Sequence, residues 1–441
     1  MKINNYMKNV LIIGSGAREH ALAWKISQSK KLGQLYIAPG NPGTAQCGTN
    51  VNVSSNDFDN LKKLIWEKDI DIVVVGPEDP LVNGLTDSIF SDKVLKDVIV
   101  IGPVKQGSML EGSKQFAKDF MKKYNIPTAK YEKFNKHQKQ QALEFLKTLS
   151  PPYVIKADGL AAGKGVVIAN TINEAEQNIT EFFNGKFGSA SENIVIEEFL
   201  DGIEVSYFIL CNGKNYVLLP EAKDYKRVGE NNTGPNTGGM GTVSPVENIA
   251  TPEFTQKVIQ QIIEPTLSGL EKENISYCGF IFFGLMNVKG NPYVIEYNCR
   301  LGDPETESIL PRIKNDFIEL IENTWNQQLS HQTIKISDKK AATVILASKG
   351  YPEKFEKGLK INIDKNKLPE DVHIFHAGTK MGNEELLTNG GRVMAITSLA
   401  NTLEESLQKS YNAIQHIHFD NKYYRKDIGQ DILKLNVSSK N

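Results

Sequence analysis

A chain of 441 residues with 40% hydrophobic side chains can bury proper cores in roughly two to four domains, which excludes a disordered or fibrous protein. Lys plus Arg number 51 against 52 Asp plus Glu, and a net charge of −1 offers no general attraction for nucleic acid or a membrane surface, so small molecules are the expected partners. Cys47, Cys211, Cys278 and Cys299 form no C-x-x-C pair, and no apolar run reaches about eighteen residues; a cytoplasmic protein without zinc, disulfides, export segment or anchor is expected.

Residues 9–13 predict a short apolar strand, followed by Gly14-Ser15-Gly16 and an amphipathic helix over 19–29, a βα unit that opens a doubly wound sheet. Strands at 34–37, 72–75 and 98–101 alternate with helical patterns, which makes 7–109 a Rossmann-like parallel α/β domain. A helix over 110–124 leads into a second domain, 110–330, in which 129–200 reads as a compact α+β lid. The polar tract 229–241, GENNTGPNTGGMG, is too rich in glycine for regular structure and is expected to be a functional loop. Residues 279–286 and 293–297 predict two buried strands joined through Lys289-Gly290-Asn291-Pro292, with a helix near 311–328. Strands at 342–347, 372–376 and 392–397 and a helix over 403–416 complete a small C-terminal mixed α/β domain, 331–441.

The chemistry concentrates first in residues 154–169, VIKADGLAAGKGVVIA. Gly159, Gly163 and Gly165 let backbone N–H groups approach an anion, and Lys156 and Lys164 supply charges for phosphate oxygens. No G-x-x-x-x-G-K-[ST] occurs, so a nucleotide triphosphate would be held between strands rather than in a Walker loop. In residues 194–200, IVIEEFL, an extended edge can read adenine through main-chain groups, with Glu197 accepting from its amine and Glu204 reaching ribose hydroxyls. Glu296 and Asn298, two apart on a strand, share one face, and two oxygen ligands suit Mg²⁺, which keeps phosphate and water in its other positions.

The GSGAREH segment has Glu19 at the third glycine position of a dinucleotide fingerprint, and no acid ends the second strand, which argues against a dinucleotide. Main-chain N–H groups at this helix start, with Arg18 beside them, still suit a single phosphate. The loops GNPGT and GPEDP follow later strands at the same carboxyl edge, so a phosphosugar could lie across them, with Glu78 taking hydroxyls or an amine. The basic run Lys223-Asp224-Tyr225-Lys226-Arg227 precedes the glycine-rich tract, and the two together are expected to close over phosphates and exclude water.

The motifs GSGAREHAL, GNPGTA, VGPEDPLVNG, LEGSKQFAKDFM, KADGLAAGKGV, EEFLDG, DYKRVGENNTGPNTGGMG, IEYNCRLGDPET, LASKGYP and TNGGRV recur in this order across the chain. Together they resemble the glycinamide ribonucleotide synthetases (phosphoribosylamine–glycine ligases) of the ATP-grasp superfamily. The resemblance implies an ATP-grasp core with a mobile lid and a carbon–nitrogen ligase of purine biosynthesis. ATP, glycine and 5-phosphoribosylamine would give glycinamide ribonucleotide, ADP and phosphate through glycyl phosphate, with Mg²⁺ or Mn²⁺ and as a monomer.

Carried over by motif, ATP would meet Lys114, Lys156, Gly163, Lys164, Gly165, Glu197, Leu200 and Glu204. Phosphoribosylamine would meet Gly14, Gly16, Arg18, Glu19, Asn41, Gly43, Thr44, Gly76, Pro77 and Glu78. Glu296 and Asn298 match metal ligands, and Asp224, Lys226, Arg227, Arg300 and Asp303 fall in motifs lining the reaction centre. The chain departs from the family pattern at Ala17, where glycine is frequent, and at Ile203, where an acid is usual. Gly284 stands on a strand where related folds offer an additional acid, so a second metal ion would depend more on phosphate and water.

Overall fold

The computed structural model describes residues 7–159 and 165–438. The first unit is a five-stranded parallel sheet in the order Thr49–Asn50, Leu32–Pro39, Lys8–Gly14, Ile72–Val75, Ile99–Ile101. Val10, Leu11, Ile12 and Ile13 are all fully buried, as befits a central parallel strand covered on both faces. The strand order turns back at Lys8–Gly14, and that switch point puts the loops after the strands at one carboxyl edge.

The helix expected over 110–124 is two helices, Lys105–Gly112 and Lys114–Lys123. Ser113 between them is extended (φ −138°, ψ 116°), and its hydroxyl accepts from the Phe116 N–H at 3.1 Å as an N-cap. The same hydroxyl donates to Asp158 at 3.0 Å, which ties the second helix to the end of a lid strand. The break, which hydrophobic periodicity does not register, sets Lys114 at a helix start.

The lid is a separate antiparallel sheet, Tyr131–Asn135, Asn193–Glu198, Tyr153–Ala157, Val166–Ala169, backed by helices Lys139–Leu146 and Ile172–Phe183. It has its own core, in which Ile155, Ile179, Phe182, Ile194 and Ile196 are fully buried. Facing it, Tyr216–Leu218, Ile203–Cys211, Gly279–Val288 and Asn291–Asn298 form a second antiparallel sheet. Its last hairpin turns through two residues only, Lys289 (φ 50°) and Gly290 (φ 81°), rather than the four expected; positive φ at both positions suits the right-handed twist of paired strands.

Two further expectations need correction. The tract 229–241 is only partly irregular, because Arg227–Gly229 pairs with Thr233–Asn236 across a tight turn at Asn231 and Asn232, while 237–240 has no regular structure. The C-terminal sheet also reaches back into the central region: its order is Lys223–Asp224, Gly241–Ser244, Lys340–Ser348, Arg392–Ala400, Val372–His376. Strand pairing between segments about a hundred residues apart leaves no local signature in sequence.

Candidate active site

The lid and the second sheet enclose a cleft of about 830 Å³ that continues to the carboxyl edge of the parallel sheet. Lys114, Lys156, Gly165, Glu197, Leu200 and Glu204 line it towards the lid, and Arg18, Glu78, Arg300 and Asp303 towards the first domain. Asp224, Lys226, Arg227, Glu296 and Asn298 line it as well. Gly163 and Lys164 lie outside the described residues. Gly14, Gly16, Glu19, Asn41, Gly43, Thr44, Gly76 and Pro77 are not among the lining groups.

At the lid end, Glu197 is buried against two cations: Lys118 Nζ is 3.1 Å from Oε2, and Lys156 Nζ is 2.9 Å from Oε1. Burial pulls against its charge, yet the two lysines hold the Glu197 carboxyl below the usual range. Its side chain, expected to accept from an adenine amine, is engaged within the protein. Two lysines around one carboxylate leave one net positive charge for a phosphate. Lys114 donates to the Gly159 carbonyl at 3.3 Å, and burial lowers its pKa.

In the middle of the cleft Lys226 pairs closely with Glu204 and stands 3.3 Å from Glu296. Although burial opposes its charge, these carboxylates raise the Lys226 pKa well above the ordinary lysine value. In return Lys226, ahead of the opposing effect of burial, pulls Glu296 down to about 2. Glu296 is therefore a permanent carboxylate beside Asn298, and hard oxygen donors on one strand face fit a divalent cation such as Mg²⁺. Among the described residues no group of three or more His, Cys, Asp or Glu is arranged for a metal, so substrate and water would complete the coordination. Asp224, whose Oδ1 is buried without a hydrogen-bond partner, lies near buried Glu305. Burial first, and mutual repulsion second, raise the Asp224 carboxyl well above its ordinary value.

At the other end Arg300 donates to Glu111 at 2.8 Å and lies 3.4 Å from Glu78. Arg300 holds Glu78 at about 2 against the effect of burial. Arg392 stands 3.1 Å from Asp303 and donates to its carbonyl at 3.0 Å. Sequence reasoning passed over Lys118, Glu111, Glu305 and Arg392, which reach the site from four separate segments. All four lie within the motifs LEGSKQFAKDFM, IEYNCRLGDPET and TNGGRV, and the K-x-x-x-K spacing of Lys114 and Lys118 on one helix face is a further signal that could have found Lys118.

The helix start at Gly16 is filled from within. Glu19 accepts the Gly16 N–H and, at 2.6 Å, the Arg18 Nε–H, so a carboxylate occupies the place expected for a phosphate. In the next loop the Asn41 side chain accepts from the N–H groups of Gly43 (2.7 Å) and Thr44 (3.0 Å) and donates to the His376 carbonyl at 2.8 Å. These residues build the wall that carries Arg18 and Glu78.

A lysine-lined cleft between a small antiparallel lid and a second antiparallel sheet, with E-x-N at the edge of that sheet, defines an ATP-grasp ligase. The models of phosphoribosylglycinamide synthetase match in succession: the N domain over residues 8–111, the ATP-grasp (A) domain over 112–306 and the C domain over 341–431. The phosphoribosylamine–glycine ligase of Chlorobaculum tepidum is 45% identical, covering 96% of this chain and all of that protein. The bifunctional purine biosynthetic protein of Pichia angusta is 43% identical over 98% of this chain and 55% of its own length. The crystal structure of phosphoribosylamine–glycine ligase from Thermotoga maritima superposes with a TM-score of 0.82 at 38% identity, covering 95% of this chain and 100% of that one. The biotin carboxylase domain of Hydrogenobacter thermophilus 2-oxoglutarate carboxylase, 16% identical with a TM-score of 0.69 over 95% of this chain and 92% of its own, shares the fold. The chain belongs to the phosphoribosylglycinamide synthetase family.

Proposed function

We propose that this chain ligates glycine to 5-phosphoribosylamine at the expense of ATP, giving glycinamide ribonucleotide, ADP and phosphate in purine biosynthesis, as a cytoplasmic monomer. The observation that carries this reading is one cleft with buried lysines at one end, arginine–carboxylate pairs at the other and Lys226 with Glu296 between them. The glycine carboxylate attacks the γ-phosphorus of ATP, and the amine of phosphoribosylamine then displaces phosphate from the resulting glycyl phosphate. Both steps need positioning and charge neutralisation rather than a covalent enzyme intermediate.

Lys114 and Lys156 orient the triphosphate, and Lys226 offsets charge developing at the transferred group. Glu78 and Asp303, each held by an arginine, face the acceptor. Glu296 and Asn298 would hold the divalent ion, Mg²⁺ or Mn²⁺, whose chemistry when bound is neutralisation of phosphate charge. The test is ADP release from ATP and Mg²⁺ with glycine, with and without phosphoribosylamine generated in the assay, for wild type and Glu296→Ala. Release that requires both substrates and is lost in the variant is expected. Release with a different acid or amine would overturn the substrates, and ATP binding without turnover would overturn the ligase.

A further inference from the structure

The segment that closes the chain, from strand Lys422–Tyr423 into helix Gln430–Ser438, grips the hairpin that carries Lys226 and Arg227. Arg425 is only 1% exposed, and every donor it uses is directed. Its Nε and Nη2 bond the two oxygens of Asp427 at 2.8 and 2.7 Å, while Nη1 donates to the Arg227 carbonyl at 3.0 Å and to Asn232 Oδ1 at 3.2 Å. Tyr423 Oη donates to the Val228 carbonyl at 2.7 Å, and Asp427 Oδ2 accepts the Asn231 N–H at 2.8 Å. On the other side of Lys226, the Tyr225 ring centroid is 4.1 Å from Lys223 Nζ and 5.4 Å from Arg425 Cζ, and its hydroxyl bonds Asp431.

A guanidinium taken out of water is tolerated only while its hydrogen bonds are made. If the hairpin swings away, Nη1 of Arg425 loses both of its acceptors, so the cost of opening is levied on a buried charge. The residues immediately before and after Lys226 are thus pinned, and its short reach to Glu204 and Glu296 follows from a backbone held at both sides. None of Tyr423, Arg425 and Asp427 lines the cleft.

We propose that Arg425, supported by Tyr423 and Asp427, is a positioning residue for the reaction: the C-terminal segment clamps the 227–236 hairpin so that Lys226 stands opposite Glu296. This proposal rests on the ligase reading for its kinetic consequence. It also replaces a freely closing loop with one held from behind.

The test uses the full chain carrying Arg425→Lys, which keeps the charge but loses the planar fork, and separately Tyr423→Phe, which removes one peripheral bond. Hydrogen exchange in 227–236 is expected to accelerate in both, more in Arg425→Lys, with the lid and parallel sheet unchanged. Turnover is expected to fall about 10- to 100-fold in Arg425→Lys, the scale of a misplaced catalytic group, while the KM for ATP stays as in the wild type. Unchanged exchange in 227–236, or faster exchange with undiminished turnover, would overturn the clamp. Uniformly faster exchange with lost ATP binding would overturn it in favour of a merely structural role. A wild type that turns over neither glycine nor phosphoribosylamine would sink the ligase reading, and the exchange measurement would then decide the clamp by itself.

Discussion

Lys118→Met is a sharp probe of the proposal that the lid end of the cleft holds ATP. Methionine keeps the volume of a side chain that is 2% exposed, and removes the ammonium 3.1 Å from Glu197 together with its 2.7 Å bond to Thr128 Oγ1. Lys156 remains beside Glu197, so the carboxylate is not orphaned, and the stability cost should fall near or below the low end of the ~3–5 kcal/mol seen when a buried pair loses one partner. The larger effect is electrostatic. Lys118, Lys156 and Glu197 carry one net positive charge, and without Lys118 they carry none. At about 5 Å and an effective dielectric near 20, one charge against one phosphate charge is worth about 3 kcal/mol, an upper figure that screening reduces. A loss of about 2–3 kcal/mol corresponds to roughly a 30- to 150-fold weaker affinity for a non-hydrolysable ATP analogue by titration calorimetry.

The pH dependence has a definite sign. Burial, opposed by Glu197, brings the Lys118 pKa down to about 8. A phosphate favours the charged ammonium, so this part of the affinity is complete below about pH 8 and declines as pH rises through that value. For folding the sense is opposite, because between about 8 and 10.5 the unfolded chain binds the proton that the folded chain has released, and stability rises with pH. In Lys118→Met both dependences should shrink. A folded Lys118→Met protein with wild-type affinity for the analogue between pH 7 and 9 would refute the net-charge argument.

Other substitutions probe the elements that aim the site. Ser113→Ala removes the cap between the two helices and should cost about 1 kcal/mol in denaturant unfolding, with a raised KM for ATP because Lys114 follows the cap directly; an unchanged KM would separate the cap from ATP binding. Gly76→Ala places a Cβ 2.2 Å from Glu19 Oε1, and Glu19 in turn holds Arg18. It should destabilise by about 1–3 kcal/mol as an overpacked core site and raise the KM for the acceptor, not for ATP; equal effects on both would argue against Arg18 as an acceptor-side group.

Much of the architecture was legible because it is local. The run Val10–Ile13, the paired strands around Lys289-Gly290 and the E-x-N on a strand each carry their information within a few residues, although the turn itself proved two residues long where four were expected. The break at Ser113 was missed because the apolar period continues across it, and only the contact with Asp158, 45 residues away, makes the cap decisive. The glycine-rich tract misled for the same reason: its composition opposes regular structure, whereas its pairing is enforced by Tyr423, Arg425 and Asp427 nearly two hundred residues later.

By itself the sequence determined the order of the three regions, the strands and helices with strong periodicity, and the ordered motifs that mark the family, because those rest on side-chain spacing along one stretch of chain. The tertiary structure alone decided which charged groups meet. Glu197 became a lysine-held anchor, Glu19 filled the glycine turn, and Arg392 and Arg425 were brought to the site or its support from the far end of the chain. Charge pairing acts through space over a few ångströms, and spacing in sequence carries no record of it until the chain has folded.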